Sequence, residues 1–323
     1  MTRCKTAMLA WVALTGLASL QTACTVRPLA IKVHPAPTAE ATRIVVLQSQ
    51  ETTLLDTAVA SFVKKVDAEV TVISDTRDAN AGALAAAVQQ IHPRFVFTLG
   101  TPAINFARKH IHDTPILYAM AINYATLHEA GPANIMGIAM EPTPLSEFAK
   151  FRMVAPDLRR VAVMYTQGST DRLVEKARGD LADLDVELLP IAVLPGADAA
   201  AAYRAHSGES DALWLMDDAD VMQQFEALKK VSLTEHKPLL ASLSDSFARA
   251  GALMAVSIDA ESIGVQAASI ARRVLERGAT PEEIGVQRPL AVRLVVNARV
   301  ARMLGLEISE DVLPYISELV QAR

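Results

Sequence analysis

Beyond residue 43 the chain repeats one rhythm: a short run of apolar residues, then a stretch with apolar positions three and four apart. Ile44-Val45-Val46-Leu47 predicts a buried strand and residues 54–66 the helix after it. Strands at 70–73, 95–99 and 116–120 alternate with helices at 79–91 and 102–110. The apolar runs are continuous, not alternating, which marks strands covered on both faces, the habit of parallel sheets flanked by helices. After Pro156 the rhythm restarts, with strands at 161–165, 187–193, 212–216, 239–241 and 253–258. Helices are predicted at 170–184, 197–206, 221–235 and 261–277. The pattern predicts an α/β chain with two successive open, doubly wound parallel-sheet units.

The first residues break this rhythm. Arg3 and Lys5 precede an apolar stretch at 7–20, shorter than the ~20 residues a bilayer span needs. A small residue, Ala23, then stands before Cys24, which completes the layout of a secretory signal. The cysteines are Cys4 and Cys24 alone, so a chain processed at Cys24 keeps one thiol and forms no internal disulfide. A single cysteine at the processing point resembles a bacterial lipoprotein, with Cys24 as the lipidation site. Gln21 stands where a lipobox has an aliphatic residue, so cleavage after Ala18 or Ala23 without a lipid is the alternative. Residues 25–42 hold Pro28, Pro35 and Pro37 and no period, which predicts a tether. The expected division is a signal peptide at 1–23 and a tether at 24–42. Lobe one takes 43–140 with part of 257–285, and lobe two 141–256 with part of 286–323.

Apolar residues make up 51% of the chain and charged residues 21%, enough to build globular cores and incompatible with disorder. The net charge is −5, and −7 once Arg3 and Lys5 leave with the signal; no basic run appears, so nucleic acid is excluded as a partner. The chain has no Gly-x-Ser-x-Gly elbow, phosphate loop, His-Glu-x-x-His or Cys-x-x-Cys motif. Ser61 and Lys64 share the spacing of serine–lysine enzymes, but they lie inside a predicted amphipathic helix without the accompanying motifs. His110, His112 and Asp113 precede Thr114-Pro115 in a turn and read as solvated groups, not metal ligands. No cofactor is expected.

Open parallel sheets bind ligands beyond the carboxyl ends of their strands, where helix N-termini present free N–H groups. Gly100-Thr101-Pro102 follows one strand; Thr101 suits an N-cap, Pro102 the first helical turn, and Gly100 a close backbone approach. Such a turn can hold a carboxylate or merely cap a helix. Tyr165, Gln167, Gly168 and Ser169 occupy the matching place in the second unit, with the same two readings. Asp217-Asp218-Ala219-Asp220 could hold an ammonium group, while one of its carboxylates caps the helix beginning near Val221. Ser242, Ser244 and Asp245 follow the next strand and complete a polar rim.

Taken in order, several segments resemble the ABC-transporter substrate-binding family that includes tryptophan-binding lipoproteins. They are Gly100-Thr101-Pro102-Ala103, Thr114–Tyr118, Asn134–Ile138, Pro238–Ser242 and Gly251–Leu253. Leu294-Val295-Val296-Asn297, with Ala301, Leu304 and Gly305–Ile308, is the most specific match. The likeness implies a type I periplasmic-binding fold, two lobes joined by several crossovers and closing on a small-molecule solute. It implies a membrane permease, or a sensor, as partner, a periplasmic location, and no catalysis. The candidate ligand-binding set becomes Gly100, Thr101, Pro102 and Asn123 from one lobe. Tyr165, Gln167, Gly168, Ser169, Asp217, Asp218, Ser242 and Asp245 come from the other. Ala260-Glu261 stand where the family often has an aromatic pair, so the resemblance does not extend to an aromatic ligand. The rival readings are a ligand-sensing partner of a signalling receptor and an exported hydrolase; the latter needs a nucleophile–base pair that no recognisable spacing supplies.

Overall fold

A computed structural model describes residues 29–35, 42–77, 79–121, 133–140, 142–168, 170–216, 218–242 and 244–321. The expected signal segment, Cys24, Asn123, Ser169 and Asp217 lie outside them. Among the described residues the strands form two seven-stranded sheets. In the first the order is β1 (Ala30–His34), β3 (Glu69–Ser74), β2 (Arg43–Gln48), β4 (Phe95–Leu99), β5 (Ile116–Ala119), β6 (Ile135–Ile138) and β12 (Val286–Gln287). The second runs β14 (Glu318–Val320), β13 (Val292–Asn297), β11 (Met254–Ile258), β10 (Leu239–Ser242), β9 (Ala212–Leu215), β7 (Arg160–Thr166) and β8 (Glu187–Val193). The apolar runs became the inner parallel strands, as their continuous hydrophobicity demands: Ile44–Leu47 and Phe95, Val96, Phe97 and Leu99 are wholly buried.

The margins of both sheets depart from the all-parallel expectation. β13 runs antiparallel to β11, with β14 beside it, and β1 runs antiparallel to β3. The segment expected as a featureless tether therefore contains a strand. Ile31 and Val33 alternate with Ala30 and Lys32 there, and the main chain completes five register pairs with β3.

Helices cover both faces of each sheet and separate apolar clusters lie on each side. The first sheet carries α1 (Thr53–Lys65), α2 (Ala81–Ile91) and α3 (Thr101–His110). The second carries α4 (Pro144–Val154), α5 (Asp171–Ala182), α6 (Ala199–His206), α7 (Ala219–Met222), α8 (Phe225–Thr234) and α9 (Ser246–Ala250). The helix predicted at 221–235 is thus two, because Gln224 turns its side chain back to the α6 entrance. It accepts from the Ala199 N–H at 2.9 Å and donates to the Ala197 carbonyl at 2.8 Å.

Three crossovers join the sheets. β6 leads directly to α4, β12 leads to β13, and β11 leads to α10 (Ala260–Arg277), which returns to pack on α1. That packing is close: a Cβ on Gly264 would lie 2.3 Å from the Ala58 carbonyl oxygen and 2.8 Å from the Phe62 nitrogen. Ser61, the serine of the apparent serine–lysine pair, donates to the Glu261 carbonyl at 2.9 Å and is part of this helix contact. After α10 come α11 (Pro281–Ile284) and β12, and α12 (Ala298–Met303) follows β13. Each crossover links carboxyl ends. β6 and β11 are left at their carboxyl ends, while β13 begins opposite Ile258, the last residue of β11. The carboxyl edges of the two sheets consequently face each other.

Candidate functional site

At the carboxyl edge of the first sheet, three successive turns pass through left-handed backbone: Asp75 (φ 57°), Gly100 (φ 88°) and Met120 (φ 54°). Such conformations concentrate where a binding surface over-determines the chain. Gly100 is the N-cap of α3 and Thr101 its first residue, so the expected capping role of Thr101 belongs to another group. Ser49, just after β2, accepts from the Ala103 N–H at 3.1 Å and donates to the Leu99 carbonyl at 2.9 Å. A Cβ on Gly100 would lie 2.6 Å from Ser49 Oγ, so glycine is required there by both φ and space. Thr101 and Pro102 stay half-buried at the edge. Beside them, Gln48 donates to Asp56 Oδ1 at 2.7 Å and its side-chain oxygen accepts from Ser74 at 3.3 Å.

Opposite, at the carboxyl edge of the second sheet, Asp218 is 2% exposed. Its carboxylate accepts from the Thr166 N–H and hydroxyl, both at 2.7 Å, the Thr170 hydroxyl at 2.6 Å and the Val221 N–H at 3.1 Å. Burial pushes its pKa up, but the four bonds together outweigh burial and hold it below the usual aspartate value. All its lone pairs are taken: Asp218 ties the end of β7 to the start of α7 and is not available for an ammonium ion. Gln167 and Gly168 form the exposed turn between β7 and α5. The Gln167 N–H reaches the Val193 carbonyl, and the Gly168 N–H reaches Asp171 Oδ2 at 2.7 Å. Tyr165 is half-buried against the core.

Ser242 is buried and doubly bonded, accepting from Trp214 Nε1 and donating to Glu147 Oε2, each at 2.8 Å. Glu147 was not anticipated. It lies in the first turns of α4 at 2% exposure, near the T-shaped Phe148–Trp214 pair, and burial raises its pKa to about 8 against the partial offset of Ser242. Asp245 is likewise engaged. Arg249 donates to it at 3.1 Å and grips Glu318 with two nitrogens at 2.9 and 2.6 Å, while Arg293 lies 3.7 Å from both acids. The Glu318 bond, with Asp245 behind it, keeps Arg249 firmly charged, and Arg249 in turn lowers the Glu318 pKa.

The structure thus gathers the Gly100–Pro102 turn on one edge and Tyr165, Gln167, Gly168, Asp218 and Ser242 on the other. Asp245 belongs to an ion-pair cluster at the β13–β14 margin. The residues missed are Ser49, Gln48 and Glu147. Ser49 and Gln48 had a signal, polar residues immediately after an apolar strand, identical to the one that drew attention to Gly100. His110 stacks on Phe106 with centroids 4.7 Å apart. Among the described residues no group of three His, Cys, Asp or Glu side chains could hold a metal, and no helix is long and apolar enough to cross a membrane.

The family model described as ABC transporter substrate binding protein matches residues 44–320, which takes in the second sheet, the first sheet apart from β1, and the facing edges. The chain belongs to that family. Its members are binding proteins, not catalysts, and they take a small solute outside the cytoplasm for a membrane permease. No curated protein matches the chain. Solved structures share the fold. A protein from Streptococcus pneumonia in complex with L-Trp is 18% identical, covering 86% of this chain and 100% of its own, with a TM-score of 0.55. The ligand-free, open structure of CD0873 from Clostridium difficile, a substrate binding protein with adhesive properties, is also 18% identical. It covers 87% of this chain and all of its own at a TM-score of 0.71. These neighbours are type I periplasmic-binding proteins, and the chain has their α/β architecture.

Proposed function

We propose that this family member is a lipid-anchored component of an ABC-type uptake system, attached through Cys24, that closes around a small amino-acid-like solute. The observation that carries the reading is the facing of two carboxyl strand edges joined through three crossovers, with glycine turns on both. In this reading the solute carboxylate lies at the α3 N-terminus, beside Gly100, Thr101 and Pro102, where the helix dipole favours an anion although the Gly100 and Ala103 N–H groups are already bonded to Ala119 and Ser49. Gln167 and Gly168 approach from the second lobe, and Ser169, Asp217 and Asn123 are assigned to the same solute. Asp218 and Ser242 shape the edge from beneath. A protein of the same fold solved with L-Trp supports a guest of amino-acid size. Closure draws its free energy from the difference in affinity between the open and closed forms.

A thermal-shift screen of the processed chain against amino acids, short peptides and organic acids tests the ligand class. A ligand at about 100 times its dissociation constant adds ~2.7 kcal/mol of stability. Small-angle scattering at saturation tests closure: the radius of gyration falls on binding, and an unchanged radius removes the hinge mechanism.

A further inference from the structure

β1 lies at the outer margin of the first sheet and runs against its neighbours. Ala30 pairs with Ser74 and His34 with Val70, so the chain enters the sheet at the carboxyl end of β3. That is the end facing the second lobe. The crossovers that leave the first sheet do so at β6 and β12, the opposite margin, so the entry point stands on the open side of the gap. Lys32 ties β1 to the same rim. Its Nζ lies 3.1 Å from Glu51 Oε1 in the loop after β2, and the Glu51 N–H donates to Asp75 Oδ1 after β3 at 3.4 Å.

Cys24 precedes Ala30 by six residues, a span of at most about 22 Å in any conformation. A tether running unpaired to residue 42 would reach about 60 Å. A body of this size is about 50 Å across, so the longer reach lets any face meet the bilayer and the shorter one does not. We propose that β1 is an orienting strap: with a lipid on Cys24, it holds the open side of the gap against the bilayer surface in which the permease sits. The strap rests on the lipid-anchor reading above. It gives the strand a purpose beyond completing the sheet, since released solute then leaves on the membrane side.

The test uses the processed, lipidated chain in phosphatidylethanolamine–phosphatidylglycerol vesicles with an energy acceptor on the headgroups. Cys4 departs with the signal and the Cys24 thiol is alkylated, so a donor dye attaches to one introduced cysteine. Arg77→Cys places it in the exposed turn beyond the carboxyl end of β3, and Asp67→Cys places it, also exposed, before the amino end. The strap requires stronger transfer from the Arg77 site, by about twofold over the Asp67 site for a difference of one strand length. Inserting about twenty Gly/Ser residues between Leu29 and Ala30 leaves β1 intact, lengthens the tether and erases the difference. Equal transfer from the two sites without the insertion overturns the strap. The mass of the N-terminal peptide separates the two failures: diacylglycerol on Cys24 with equal transfer removes the strap alone, while an unlipidated N-terminus removes the anchor and the strap with it.

Discussion

Glu147 and Asp218 are buried carboxyl groups with opposite behaviour, and the difference is the number of donors each receives. Asp218 has four and stays ionised; Glu147 has the Ser242 hydroxyl against an apolar surround and favours its proton. The raised value means that the folded chain binds a proton the unfolded chain has released between pH 4.5 and about 8. Stability from Glu147 is therefore complete below that window and lost as pH rises through it, by on the order of 5 kcal/mol. Glu147→Gln keeps the shape and removes the proton, so urea unfolding between pH 5 and 9 should lose this downward slope; an unchanged slope would refute the assignment. Asp218 has the reverse sign, its contribution being lost only as pH falls through its lowered pKa. Asp218→Asn turns an NH2 toward a backbone N–H, of Thr166 or of Val221, whichever way the amide lies, and costs about 3 kcal/mol at neutral pH, readable from the same urea titrations. That one carboxylate of 217–220 caps the helix near Val221 was legible from the sequence, but not that Asp218 is the one. Thr166 and Thr170 were not legible as its donors, because their partner lies about fifty residues away in sequence.

At the scale of elements, apolar periodicity found the inner strands and the longer helices, since their burial on both faces leaves a continuous mark. It missed the margins. β1 has alternating Ile31 and Val33, but five residues among three prolines carry little weight until β3 supplies the partner. α10 was expected from its pattern, yet nothing in that pattern says that it leaves the lobe of β11 and packs on α1 of lobe one. Gly264 is the residue that permits the contact. Gly264→Ala drives a methyl into the Ala58 carbonyl and forces α1 and α10 apart, a change expected to cost about 3 kcal/mol and to lower the melting temperature. Alanine at Gly179, where nothing lies within 4 Å of the added Cβ, is the matched control and should be neutral or mildly stabilising.

For the whole molecule, the restart of the rhythm after Pro156 foretold two α/β units, and the family resemblance supplied the crossovers that periodicity cannot. What neither supplied is the way the crossover from β12 to β13 is held. Gln266, 2% exposed on α10, donates to the Arg288 carbonyl at 2.9 Å and accepts from the Leu290 N–H at 3.1 Å. That helix is packed into lobe one, so the loop it grips travels with lobe one as well. In the proposed closure, turning of one lobe on the other is left, along this connection, to the few bonds between Leu290 and the start of β13. A pivot that short has little room to twist or slide. For the closure proposed above, a narrow arc would select a guest by its path of approach as well as by its shape.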